Sequence, residues 1–191
     1  MGFNMSNKLF MVLLGATVTG RLIEQHDVLF AIADDLTQLI PTFKNAWPNA
    51  SVHVDAWREV SSVQGHRIHL SDVPSDNDLK LYFFNLGGYV QGDMEEHHHK
   101  ALVVANNQAQ ATQYIKQSEF YRNRGYQGAE SHIDDKFAVD IDDVHVVNDL
   151  IAGNSLYLHI SQEADLQADD VWQVGYLSLS KLAKRKPSIE A

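Results

Sequence analysis

Apolar residues in this chain arrive in short unbroken runs near its start and again near its middle. Between the runs they space out at alternating or helical intervals. Lys8 to Leu14 is such a run, rich in strand formers and ended by Gly15, and it predicts a buried strand closed by a loop that Gly20 punctuates again. Gln25 to Ala33 predicts a second strand, in which alternation sets His26, Val28, Phe30 and Ile32 on one face, so that the histidine begins a buried face. Asp34 or Asp35 caps a predicted helix carrying Leu36, Leu39, Ile40, Phe43 and Trp47 as one apolar stripe, kinked or interrupted at Pro41. Ser51 to Val60 predicts a third strand, with Val52, Val54 and Ala56 on one face and His53, Asp55, Trp57 and Glu59 on the other.

The order then repeats. Sliding the chain by 72 positions lays the stretch from Lys8 onto the stretch from Lys80 with 11 of 37 positions identical, among them Gly15 and Gly87, Gly20 and Gly92, Glu24 and Glu96, and His26 and His98. After a seven-residue insertion, HVDAWREV from His53 meets HIDDKFAV from His132. A tandem duplication is the expectation. The second copy lacks the proline, so an unbroken helix is expected from Asn106 to about Tyr121. One strand–strand–helix–strand unit has too little helix to cover its own sheet. The predicted fold is therefore α+β, two such ββαβ repeats packed with approximate two-fold symmetry. The boundaries are 8–70 for the first repeat and 79–151 for the second, joined by an acidic, turn-rich linker, with 152–184 as a C-terminal extension packing on both. His66 to Leu70 and Leu156 to Ile160 predict short extra strands, and Val171 to Leu179 an edge strand or a segment lying across a neighbour.

Composition narrows the function classes. A formal net charge of −10 leaves no basic stripe to neutralise phosphates, which argues against a nucleic-acid partner. The cluster Lys181, Lys184, Arg185 and Lys186 reads as a solvated tail. Cysteine is absent, and with it disulfides, thiolate catalysis and cysteine-ligated zinc. No apolar stretch reaches the roughly 18 residues a membrane helix needs. Lys8 followed by an apolar run imitates a secretory signal, but the mid-chain run Leu81 to Leu86 is its equivalent, so both read as strands and a cytoplasmic location is expected.

The strings LFMVLLGAT, GRLIEQHDV, HVDAWREV, LGGY and SHIDDK together resemble an uncharacterised bacterial family catalogued as domain of unknown function 1543, whose members hold one or two copies of the domain. The resemblance spans about Lys8 to Leu150. It implies a soluble bacterial protein and a duplicated architecture, and it brings no activity, substrate or catalytic residue.

Candidate chemistry lies in Glu24, His26, His53 and Asp55 and in their counterparts Glu96, His98, His132 and Asp134. The residues of each E-x-H and H-x-D pair are two apart on a strand and share a face, so two imidazoles and two carboxylates converge if the strands are neighbours. That donor set suits zinc, manganese or ferrous iron. Three readings stay open: histidine–carboxylate pairs that merely satisfy one another, a divalent metal site, and a pocket for a small non-metal ligand. An enzymatic version is a metal-dependent hydrolase with Glu24 or Glu96 as general base. No residue stands in a recognisable catalytic string, and the glycine-spaced loops match neither a dinucleotide nor a P-loop fingerprint. The acidic run from Asp134 to Asp143 lacks the glycine and terminal glutamate of a calcium-binding loop. A small ligand and a homodimer are the partners this reading leaves open.

Overall fold

The computed structural model describes residues 7–127, 130–133, 144–151, 155–163 and 170–185. The chain runs β1 (Lys8–Thr17), β2 (Gln25–Ala33), a 3-10 turn (Leu36–Leu39), α1 (Ile40–Ala46), β3 (Ser51–Glu59), β4 (Ser62–Val63) and β5 (His66–Ser71). It continues through β6 (Lys80–Tyr89), β7 (Glu96–Ala105), α2 (Gln108–Ile115), α3 (Glu119–Asn123), β8 (His132–Ile133), β9 (Val144–Val146), α4 (Val147–Leu150), β10 (Tyr157–Gln162), β11 (Gln173–Ser178) and α5 (Leu179–Leu182). The architecture is α+β, with antiparallel sheets.

Strand β1 is central because it is apolar on both faces. Phe10, Val12, Leu14 and Ala16 point to one side, against Leu36, Leu39 and Phe43 of the short helices, and Leu9 and Met11 point to the other. It pairs with β2 and β3, and β11 closes the sheet in the order β11-β3-β1-β2. Strand β6 holds the same position in a second sheet, with β7 on one side and β8 and β9 on the other. The register of β6 on β7 is that of β1 on β2 moved by 72 positions: Lys8 faces Ala33 and Lys80 faces Ala105, Gly15 faces His26 and Gly87 faces His98.

A third sheet, β10-β5-β4, packs one face into a core shared with the other two. Leu9, Met11 and Phe30 from the first sheet, Leu81, Phe83 and Leu102 from the second, and Ile68, Leu158 and Ile160 from the third form one core. There the Phe30 and Phe83 rings meet edge to face at 5.4 Å. Each outer face has its own core. Phe43, fully buried, anchors the first, and burying such a ring contributes about 1.5–3 kcal/mol. Ala111 and Ile115 serve the second.

Several expectations change here, each for a local reason. Pro41 falls in the first turn of α1 and starts that helix instead of kinking a longer one. The second helix is two: α2 ends at Ile115, and the Ser118 hydroxyl accepts from Tyr121 N to cap α3. The added helix explains why glycine stands at 88 where the first unit has Ala16. A Cβ on Gly88 would lie 2.7 Å from Arg124 Cβ and 2.8 Å from its carbonyl oxygen. His26 is exposed, so it opens the inner face at a solvated end and does not begin a buried one.

Trp57 lies against the outer core, on the opposite face from the one alternation assigns. The register shifts so that Leu14 pairs with Val54 but Leu13 with Ala56, leaving Asp55 as the extra residue of a bulge that reverses the alternation beyond it. On the side of β6 away from β7, two strand pieces are described. β8 pairs with Leu86 and Gly87, β9 pairs with Tyr82, Phe83 and Phe84, and residues 134–143 lie outside those described. Val144, facing Phe84, therefore holds the place that Trp57, facing Val12, holds in the first unit, and the alignment of HIDDKFAV on HVDAWREV slips beyond its first residues.

Candidate functional site

Three strands deliver the candidate residues of the first unit to one place. Gly15 on β1 faces His26 on β2 and His53 on β3, so both imidazoles rise from the same rung of the sheet. Glu24 stands two residues before His26, just ahead of β2. Asp55 is the bulged residue of β3, and the bulge is what turns its carboxylate toward His53. Gly15 is required for clearance. A Cβ there would lie 2.3 Å from His53 Nε2 and 2.7 Å from Asp55 Oδ2, inside any real contact.

The four tips form a closed ring of alternating nitrogen and oxygen. His26 Nε2 lies 3.6 Å from Glu24 Oε2 and 3.3 Å from Asp55 Oδ2, and His53 Nε2 lies 3.5 Å from Glu24 Oε1 and 3.1 Å from Asp55 Oδ1. Exposure is graded. The His53 side chain keeps 4 % of its surface and Asp55 24 %, while Glu24 and His26 keep 38 % and 46 %. Despite the short separations, His53 Nε2 and Asp55 Oδ2 are buried without a hydrogen bond. Among the described residues, no set of three or more His, Asp or Glu side chains already surrounds a point that an ion could occupy. The quartet is thus closed on itself, with two carboxylates meeting two imidazoles in a chain that is already anionic.

Two residues that sequence reasoning missed complete the surroundings. Thr17 Oγ1 donates to Glu24 Oε1 at 3.4 Å, and the Tyr176 ring lies over His53 at 4.3 Å between centroids. Tyr176 reaches that position through a second bulge, where Gly175, at φ 141°, and Tyr176 stand opposite Asp55. Only glycine adopts that backbone without strain. Gly15 carried a signal in the sequence, since sliding the chain by 72 positions lays it on Gly87. Tyr176, 123 positions from His53, carried none.

The second set is brought together in part. Gly87 faces His98 on β7 and His132 on β8, the same rung as Gly15, His26 and His53. His98 Nε2 lies 3.9 Å from Glu96 Oε2. Asp134 lies outside the described residues, as do the rest of the acidic run to Asp143. His97 pairs with Asp93 at 2.8 Å and His99 stacks on Phe120 at 5.2 Å, so neither joins the set. A cavity of about 570 Å³ at the far end of the first sheet involves none of the eight candidates. Of the charges lining it, Lys8 pairs with Glu59 at 3.0 Å, Asp170 accepts from Ser61 N, Ser61 Oγ and Ser62 N, and Arg185 lies over Trp57.

Comparison with known proteins places the fold first. The crystal structure of a protein Il1583 from Idiomarina loihiensis superposes with a TM-score of 0.56 at 22 % identity, covering 91 % of this chain and 98 % of that one, a likeness of fold alone. Residues 21–70 then match the family model described as Domain of Unknown Function (DUF1543), the family the sequence strings resemble. That span contains Glu24, His26, His53 and Asp55. Comparison with curated proteins gives no match. Among the described residues no helix is long and apolar enough to cross a membrane.

Proposed function

We propose that this protein binds a divalent transition-metal ion, of the zinc or manganese class, through Glu24, His26, His53 and Asp55. The observation that carries the reading is His53 Nε2, buried, without a hydrogen bond, and within 3.1–3.5 Å of two carboxylates. Ligands around a tetrahedral ion at about 2.0–2.1 Å stand about 3.3 Å from one another and roughly 35° off each ligand's axis to the ion, a poor angle for mutual hydrogen bonds. The four N···O separations, 3.1 to 3.6 Å, lie near that value, although each carboxylate turns one oxygen to each imidazole, so one oxygen of each must swing inward to ligate. A small turn of the tips, which the exposure of Glu24 and His26 permits, brings the donors onto one point. Two carboxylates in a chain of net charge −10 favour a cation there.

The matching registers of β1 and β6 support a tandem duplication, with the corresponding rung at Gly87 as a second, related site. An enzymatic reading has one observation in its favour. Glu24 makes the longest contacts of the four and precedes β2 on a loop, which suits a general base beside an ion held by His26, His53 and Asp55. On that reading Glu24→Gln keeps the ion and loses hydrolysis.

The test is zinc or manganese uptake by chelator-stripped protein, followed by metal content and thermal shift. Wild type is expected to take up one equivalent more than His53→Ala. Equal uptake by the two, or less than about a tenth of an equivalent per chain with no thermal shift, would overturn the reading.

A further inference from the structure

Another pair of imidazoles lies away from the quartet, on the outer face of the three-stranded sheet. His69 on β5 and His159 on β10 stand directly opposite one another in the antiparallel register. Their neighbours in each strand, Ile68, Leu70, Leu158 and Ile160, pack into the central core, so the two imidazoles leave from the solvent side. The ring centroids are 5.2 Å apart with the planes at 41°. Two imidazoles on one tetrahedral ion, each nitrogen about 2.0–2.1 Å from it, have centroids about 5.2 Å apart.

The tautomer of His159 is also fixed. Its Nε2 lies 2.7 Å from the carbonyl oxygen of Val73, which can only accept, so Nε2 carries the hydrogen and Nδ1 keeps its lone pair. Holding one ring N–H on a backbone carbonyl while the other nitrogen ligates is how proteins orient metal-binding histidines. Glu163, ion-paired with Arg67 at 2.7 Å, lies close enough to interact electrostatically with His69 and offsets the Arg67 charge on that face of β5.

The geometry points to a two-histidine site, His69 with His159, that takes a divalent ion of the copper, nickel or zinc class and completes its coordination with water. The site does not rest on the quartet. Its ligands lie 90 positions apart in sequence, so the ion ties β5 to β10 and thereby the two halves of the chain to one another.

Cu²⁺ is the probe, because nitrogen sites bind it most tightly of the first-row divalent ions. It is titrated into chelator-stripped full-length protein and into His69→Asn, His159→Asn, His97→Asn and His53→Ala. Wild type and His97→Asn are expected to take up one equivalent that His69→Asn and His159→Asn bind at least about tenfold more weakly. At a hundredfold excess over Kd the same equivalent should raise Tm by roughly 5–10 °C, a gain lost in both variants. His53→Ala should keep this equivalent, so failure here and failure of the quartet are told apart. Uptake and thermal gain equal to wild type in His69→Asn and His159→Asn, or the same loss in His97→Asn, would overturn the site.

Discussion

At the scale of single residues, Gly15 explains more than any other position. Its missing side chain leaves the space that His53 Nε2 and Asp55 Oδ2 occupy. Gly15→Ala should therefore displace the imidazole while leaving the four donor residues in the sequence. The expected outcome is loss of the metal equivalent together with about 1–3 kcal/mol of stability, read from metal titration and denaturant midpoints. Tight zinc binding by Gly15→Ala would show that His53 is not held where the structure places it. His99 offers a pH effect at the same scale. Burial of its ring against Phe120, and then the charge of Lys100, hold its pKa below the ordinary imidazole value, although the residue as a whole is exposed. Because the folded-state value is depressed, the stabilising contribution is present above the ordinary value near 6.5 and is lost as pH falls through the lowered one. His99→Gln should flatten the fall in denaturation midpoint across that interval, and an unchanged profile would count against it.

At the scale of elements, bulges and caps decide what the sequence could and could not reveal. The paired apolar runs and the face shared by His26, Val28, Phe30 and Ile32 were legible, because period and composition agree there and nothing interrupts the strand. Trp57 was misplaced because the bulge at Asp55 resets the alternation, and β3 contains no glycine to announce it. The break between α2 and α3 turns on one serine, which side-chain spacing does not single out. The convergence of Glu24, His26, His53 and Asp55 was foreseeable from spacing only if β2 and β3 flank one strand, and Gly15 between them is what lets the tips meet. The C-terminal strand is tied in by Asp170, which accepts three hydrogen bonds from Ser61 and Ser62. Asp170→Ala should cost about 1–3 kcal/mol by orphaning partly buried donors, measured by chemical denaturation. Gly175→Ala should strain the bulge by a similar amount, about 1–3 kcal/mol, and shift Tyr176 off His53, visible as a change in tyrosine fluorescence on metal addition. Unchanged stability in either variant would contradict these roles.

At the scale of the whole molecule, the three sheets are joined through a core to which each contributes. Phe30 and Phe83 come from different sheets, and β5 finds its partner β10 far along the chain. That pairing was invisible in the sequence, since both strands are short and nothing local specifies their register. A double-mutant cycle on Phe30→Leu and Phe83→Leu should give a coupling of about 0.5–1.5 kcal/mol within one cooperative unfolding transition. Two separate transitions with no coupling would mean that the halves fold independently. The central claim, that the ring of His26, His53, Glu24 and Asp55 is a metal site, is tested most directly by metal content after zinc loading of wild type and Gly15→Ala side by side. One equivalent more in wild type is the predicted result. Equal content in the two proteins would contradict it.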